Sequence, residues 1–294
     1  MADLKGKVAV ITGAASGIGM ATVETFVEQG AMVVAADMQD EPGQALETRF
    51  GSDTVRFIHC DVTDDASLKA AIDLAPEAFG GLDIVFNNAG AVGARMSLEE
   101  LDLEAYDDTM RLLLRSVFAG TKFAIPHMKE KGGVILNTAS IASLEAGWGP
   151  IAYSVAKKGV AHFSRLAAAE LSKYKIRVNA ILPGFIATSI FGNAFGMSGA
   201  ASVQMAEMLT QNGGGVQPIG RVGQGADIGE MAAFLASDAA GFVTGGEFLV
   251  DGGITVGPQH AWNEQAANPV LEAMGLTTEQ AEQMMAMMAS TQTE

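Results

Sequence analysis

Residues 7–30 read KVAVITGAASGIGMATVETFVEQG, and the order of features in this stretch decides the fold. An apolar run at 7–12 leads into the turn Thr12-Gly13-Ala14-Ala15-Ser16-Gly17-Ile18-Gly19, then into a helical pattern through Glu28. Glycines there permit a tight turn and let backbone N–H groups approach a pyrophosphate at the helix N-terminus. The spacing is G-x-x-x-G-x-G rather than G-x-G-x-x-G, so its place between a strand and a helix carries the assignment.

Outward from this unit the same alternation continues. Short runs at 31–37, 55–62, 82–89, 133–140 and 176–183 are nearly continuous in Val, Ile, Leu and Ala, as strands covered on both faces are. Helix-length segments separate them, and a last strand, Glu247–Val250, precedes Asp251-Gly252-Gly253. The expected fold class is α/β, a doubly wound parallel sheet with helices on both faces. No repeat or linker divides residues 1–253, which form one expected domain. Residues 185–225 break the pattern: six glycines fall between Gly192 and Gly215, as in an irregular lid. Residues 254–294 form an expected helical extension that packs on its own or a neighbouring subunit. Pro269 to Gly275 reads as one short helix, and Thr277 with Gln280 as a capping box before Met284, Met285, Met287 and Met288.

Composition narrows the function. With 49 % hydrophobic and 18 % charged residues, the 294-residue chain can bury a core and is not disordered. Eighteen Lys plus Arg against 34 Asp plus Glu leave a net charge of −16, which repels nucleic acid and anionic membranes. The single cysteine, Cys60, makes no intrachain disulfide, and no apolar run approaches the roughly 18 residues of a membrane span. A cytoplasmic protein is expected. Four histidines (His59, His127, His162 and His260) show no paired ligand spacing, so no metal is expected; His59-Cys60 reads as a core pair.

Asp37 closes the second strand 24 residues after Gly13. A carboxylate there accepts hydrogen bonds from both adenosine ribose hydroxyls and repels a 2′-phosphate. Residues 38–40 are Met-Gln-Asp, with no cation for that phosphate, so NAD is the expected cofactor. Tyr153 and Lys157 stand four apart in a helical segment at 150–171, hence on one face. A nearby ammonium favours the phenolate, bringing a group with a pKa of about 10 toward general-base duty. Ser140, 13 residues before Tyr153, is placed to hydrogen-bond a substrate oxygen; Ser143 competes for that role, and spacing favours Ser140.

Together these residues resemble the classical short-chain dehydrogenases/reductases. The match runs from about Lys5 to Gly253. It includes TGAASGIG at 12–19, Asp61-Val62, Asn87-Asn88-Ala89-Gly90, Ser140 with Tyr153-Ser154-Val155-Ala156-Lys157, and Pro183-Gly184 with Thr188. The resemblance implies a seven-stranded Rossmann-like sheet, a nicotinamide cofactor, alcohol–carbonyl interconversion and a homotetramer or homodimer, with the helix around 106–129 packing on its copy. It implies that Ser140, Tyr153 and Lys157 are catalytic. The implied cofactor contacts are Gly13, Ser16, Gly17, Ile18, Gly19, Asp37, Met38, Asp61, Val62, Asn88, Gly90, Tyr153, Lys157, Pro183, Ile186 and Thr188. One position departs from the family: Leu113 stands where an asparagine usually organises a proton relay through a lysine-bound water.

Between Arg177 and Arg221 there is no Lys or Arg, and the lid offers Phe185, Phe191, Phe195 and several methionines instead. With Trp148, these are the expected substrate-lining residues. They suit a bulky uncharged secondary alcohol or ketone (steroid, terpenoid, cyclic or aryl) over a charged thioester. A 3-oxoacyl-thioester reductase and a catalytically impaired nucleotide-binding regulatory protein are the alternatives.

Overall fold

Alternation along each strand explains why the apolar runs are continuous: successive side chains enter two different cores. The computed structural model describes residues 2–194, 196–197, 199–263, 266–277, 279–281 and 283–284. Its strands are β1 (Val8–Thr12), β2 (Met32–Asp37), β3 (Val55–His59), β4 (Ile84–Asn87), β5 (Gly133–Thr138), β6 (Ile176–Pro183) and β7 (Glu247–Val250). The helices are α1 (Gly17–Glu28), α2 (Asp40–Phe50), α3 (Asp65–Phe79), α4 (Leu103–Met110), α5 (Ser116–Met128), α6 (Ile151–Leu171), α7 (Ser189–Ala194), α8 (Ala200–Asn212), α9 (Gly225–Ala236) and α10 (Pro269–Ala273).

All seven strands are parallel in the order β3-β2-β1-β4-β5-β6-β7, with Val10 of β1 opposite both Val34 and Val85. Ala9 and Ile11 pack with Val23 and Phe26 of α1 and Ile228 of α9. Val8 and Val10 pack on the opposite face with Ile72 of α3, Met128 of α5 and Leu171 of α6. Full burial of a side chain such as Phe26 contributes about 1.5–3 kcal/mol. The winding reverses between β1 and β4, and such a switch point leaves a crevice at the carboxyl ends of the strands. That crevice is where the chemistry-bearing residues gather.

Three expectations change. Residues 185–225 are not irregular, since they hold α7 and α8. Glycines bracket α8 rather than break it, and Gly192 lets α7 lie against α8, where a Cβ would meet Ser202 Cα at 2.5 Å. The two ends of the segment meet at the Ile186–Gly223 bridge. There Ala187 N donates to Gly223 O (2.8 Å) and Gly223 N to Phe185 O (3.1 Å). Gln217, buried, fastens the returning chain by donating to Asp251 O (2.8 Å) and accepting from Gly223 N (3.1 Å).

The second change is at the strand ends. β3 stops at His59 rather than at residue 62, and β4 spans four residues rather than 82–89. His59 is not a core residue: it is exposed, with Nδ1 2.8 Å from Asp40 Oδ1, while only Cys60 is buried. Third, the helix expected around 106–129 is interrupted. A π-helical turn, Arg111–Arg115, joins α4 to α5 and holds Leu113 fully buried.

In the tail, α10 begins after Asn268, whose side chain accepts from Val270 N and Leu271 N. The expected capping box is formed: Thr277 N donates to Gln280 Oε1 (2.9 Å) and Gln280 N to Thr277 Oγ1 (3.2 Å). Met285, Met287 and Met288 lie outside the described residues. Among the described residues no helix is long and apolar enough to cross a membrane.

Candidate active site

A cleft of about 830 Å³ opens at the carboxyl ends of the strands. Gly13, Ser16, Gly17, Ile18, Asp37, Met38, Val62, Asn88 and Gly90 wall it from the β1–β4 side. Ser140, Trp148, Tyr153, Lys157, Pro183, Phe185, Ile186 and Thr188 wall it from the β5–β6 side. Two expected members lie elsewhere. Gly19 sits beneath the turn, where a Cβ would fall 1.9 Å from Gly13 O, so close packing alone requires a glycine there. Asp61 is turned into its own bend, its Oδ1 accepting from Thr63 N and Thr63 Oγ1, both at 2.8 Å. The side chain of Phe191 and all of Phe195 lie outside the described residues.

The β1–β2 end suits a dinucleotide. α1 starts at Ser16 with no side-chain cap, so its first N–H groups and the positive end of its dipole address the cleft. Asp37 is locked at the end of β2: Oδ2 accepts from Ala15 N (2.9 Å) and Oδ1 from Gln39 N (2.9 Å). Oδ2, with one donor, keeps a further lone pair for a hydroxyl. Gln39 joins this set, donating to Ser16 Oγ and Asp37 Oδ1, both at 3.3 Å. Donors and a carboxylate in this pattern fit a pyrophosphate and a ribose diol.

The β5–β6 end carries the reactive groups, held by a buried polar chain. Asn87 Nδ2 donates to Asn137 Oδ1 (2.8 Å), and Asn137 Nδ2 to Ser164 Oγ (2.9 Å), tying β4 and β5 to α6. Tyr153 and Lys157 rise from the first turns of α6, and Ser140 follows the end of β5. Lys157 is buried, its Nζ donating to Thr138 O at 2.7 Å and lying 5.7 Å from the Tyr153 ring centroid. Burial lowers its pKa from 10.5 to about 8.

The expectation that Lys157 makes the Tyr153 phenol more acidic does not hold for the protein alone. Burial dominates and pushes the phenol up, and the lowering influence is a hydrogen bond with Ser140. Ser143 is no rival to Ser140, because its hydroxyl donates to the Ser140 carbonyl at 2.6 Å.

Sequence reasoning missed several walls of the cleft, including Gln39, Cys60, Val92, Arg95, Leu112 and Leu113. Cys60, with its thiol pushed up to about 11 by burial, is an inert wall. Arg95 and Lys157 are the two cationic side chains on the described cleft wall. The signal for Arg95 was its position five residues past Gly90, in the loop that leaves β4. That loop is pinned by Thr109, whose hydroxyl accepts from Ala94 N at 2.9 Å.

A family model described as enoyl-(acyl carrier protein) reductase matches residues 13–255. Momilactone A synthase of Oryza sativa subsp. japonica is 41 % identical over 257 residues, 86 % of this chain and 91 % of that protein. Short-chain dehydrogenase reductase 3b of Arabidopsis thaliana is 38 % identical over 255 residues, 86 % of this chain and 97 % of its own. The 2,5-dichloro-2,5-cyclohexadiene-1,4-diol dehydrogenase of Sphingobium indicum is 37 % identical over 257 residues, covering 87 % and 99 %.

Proposed function

The chain belongs to the short-chain dehydrogenase/reductase family, and from that premise we propose that it is an NAD-dependent dehydrogenase interconverting a bulky uncharged secondary alcohol and its ketone. The observation that carries this reading is a single cleft with Ser140, Tyr153 and Lys157 on one wall and the locked carboxylate of Asp37 on the other.

In this reading the α1 N-terminus and the turn at 13–17 hold the pyrophosphate, and Asp37 with Gln39 holds the adenosine ribose. Val62 walls the adenine pocket, Lys157 and Asn88 line the nicotinamide ribose, and Ile186 with Thr188 meets the carboxamide end. When bound, the oxidised dinucleotide supplies a hydride acceptor and a positive charge beside the phenol. Ser140 donates a hydrogen bond to the substrate oxygen, and Tyr153 Oη takes its proton as the carbonyl forms. Lys157, protonated below about pH 8, adds positive charge against the Tyr153 ring.

The substrate class rests on the walls. Trp148, Phe185, Ile141 and Ile190 are apolar, and the α7–α8 segment brings no cation. Two relatives carry names that fit: momilactone A synthase and 2,5-dichloro-2,5-cyclohexadiene-1,4-diol dehydrogenase. The Asp37 carboxylate and the lack of a cation at 38–40 favour NAD over NADP and weigh against a 3-oxoacyl-thioester reductase. Exposed Phe118 on α5 and Leu166 on α6 suit packing against a second copy in a homodimer or homotetramer. Residues 1–253 form the catalytic domain, and 254–294 an extension of it.

A cofactor-reduction screen over neutral steroid, terpene, cyclic and aryl alcohols tests the proposal. NADH should form with at least one class, and Tyr153→Phe should abolish it. Activity confined to charged acyl thioesters, or with NADP alone, overturns it.

A further inference from the structure

Asn87 of β4 pairs with Asn137 of β5, and the next residues along, Asn88 and Thr138, meet through their side chains. Asn88 is held to the end of β1 twice: its main-chain N donates to Thr12 Oγ1 (3.0 Å) and its Nδ2 to Thr12 O (3.1 Å). A carbonyl only accepts, so the amide nitrogen is the end that meets Thr12. The amide oxygen then faces Thr138, whose hydroxyl donates to Asn88 Oδ1 at 3.1 Å. The main-chain oxygen of the same threonine accepts from Lys157 Nζ at 2.7 Å. Thr138 is buried, so bulk water does not replace either bond. The Asn88 amide also lies against the glycine-rich turn: a Cβ on Gly19 would meet Nδ2 at 2.9 Å, and one on Gly13 at 3.2 Å. Three hydrogen bonds in a row thus run from Thr12 to Lys157, and Thr138 makes two of them.

We propose that Thr138 is a positioning residue for the dinucleotide: its hydroxyl fixes the Asn88 amide and so ties the turn at 12–19 to the end of β5 that holds Lys157. The inference rests on the reading of Asn88 and the turn as cofactor walls, and it adds the side chain that sets them against each other. The two bonds of Thr138 separate chemically. Any residue supplies the carbonyl for Lys157, whereas only a hydroxyl supplies the donor for Asn88. With both bonds of the amide made, Asn88 keeps one N–H and one lone pair in a fixed direction on the cleft wall. Without the hydroxyl, Asn88 Oδ1 loses its donor and the amide turns about its last torsion.

The test uses the whole enzyme with Thr138→Val, Thr138→Ser, Thr138→Cys, Asn88→Ala and the double variant Asn88→Ala/Thr138→Val. Valine keeps the shape and the carbonyl and removes only the hydroxyl. Thr138→Val should raise the NADH dissociation constant about fivefold, the cost of one hydrogen bond. Its kcat at saturating NAD should hold, because Lys157 keeps its carbonyl partner. Thr138→Ser, which retains the donor, should bind NADH as wild type does. Thr138→Cys, with a weak donor, should bind NADH more weakly than Thr138→Ser, and it carries the test should the valine variant fold poorly. In the Asn88→Ala background Thr138→Val should cost nothing further, since both act on one bond. Wild-type NADH affinity in Thr138→Val or Thr138→Cys, a weak Thr138→Ser, a kcat that falls as far as the affinity, or a fivefold loss repeated in the Asn88→Ala background overturns the inference and leaves the site reading standing. Wild-type NADH affinity in Asn88→Ala overturns the reading of Asn88 as a cofactor wall instead.

Discussion

Lys157 Nζ donates to the carbonyl oxygen of Thr138 at 2.7 Å, so the strand end that carries Ser140 two residues later also holds the lysine of α6. A buried ammonium held by a neutral carbonyl is destabilising relative to water. The folded chain therefore releases this proton near pH 8, while the unfolded chain keeps it to about 10.5. Between those values the unfolded state binds more protons, and stability rises with pH. Below pH 8 the full penalty is present, on the order of 3 kcal/mol at 1.36 kcal/mol per pKa unit. Lys157→Met should be the more stable protein at pH 7, with its lead shrinking by pH 9.5. Urea midpoints across that range check this, and parallel curves would contradict it.

Asp37 should set cofactor choice. Asp37→Ala removes a charged acceptor of ribose hydroxyls and leaves Ala15 N and Gln39 N without their partner. The expected loss in NADH affinity is about 10- to 100-fold, as for hydrogen bonds to a charged group. NADPH should bind no worse than before. Equilibrium fluorescence titration with both dinucleotides reads the two constants; an equal loss for both would sink the assignment.

Two glycines separate steric from conformational cost. Gly19→Ala drives a Cβ to 1.9 Å from Gly13 O, a backbone atom, so the turn must move. A loss of about 1–3 kcal/mol or more, with loss of NADH binding, is expected. Gly51→Ala meets nothing within 4 Å and is strained only by its φ of +82°. It should cost about 1–3 kcal/mol and leave NADH binding intact. Chemical denaturation and NADH titration of the pair distinguish the two causes.

Leu113 is fully buried on the π-helical turn, its Cδ2 3.0 Å from where a Cβ on Gly90 would sit. Leu113→Asn places an amide in an apolar site and should lower stability by about 2–4 kcal/mol. Its pH–rate profile should differ from wild type, because the amide adds a polar group on the Lys157 side of the cleft. Superimposable profiles would remove the position from any proton path.

The parts legible in the sequence were those that local geometry dictates. The turn at 12–19 announces itself by glycines between a strand and a helix, and Tyr153 meets Lys157 because i and i+4 share a helical face. Asp37 was legible because a carboxylate at the end of β2 has one direction to face. Arg95 and Gln39 were not, since their place on the cleft wall depends on loops tethered by Thr109 and Asp37. The glycine count at 192–215 misled for the same reason: composition does not say that Gly199 and Gly213 flank a glycine-free helix. The direction of the Tyr153 shift was missed because burial is a tertiary property that spacing along the chain does not carry.

The bridge between Ile186 and Gly223 gives the α7–α8 segment adjacent ends. None of its residues takes part in the strand register of the sheet. Phe185 and Ile190 of the cleft wall thus lie in a stretch of chain apart from Ser140, Tyr153 and Lys157, whereas Ile141 and Trp148 share theirs.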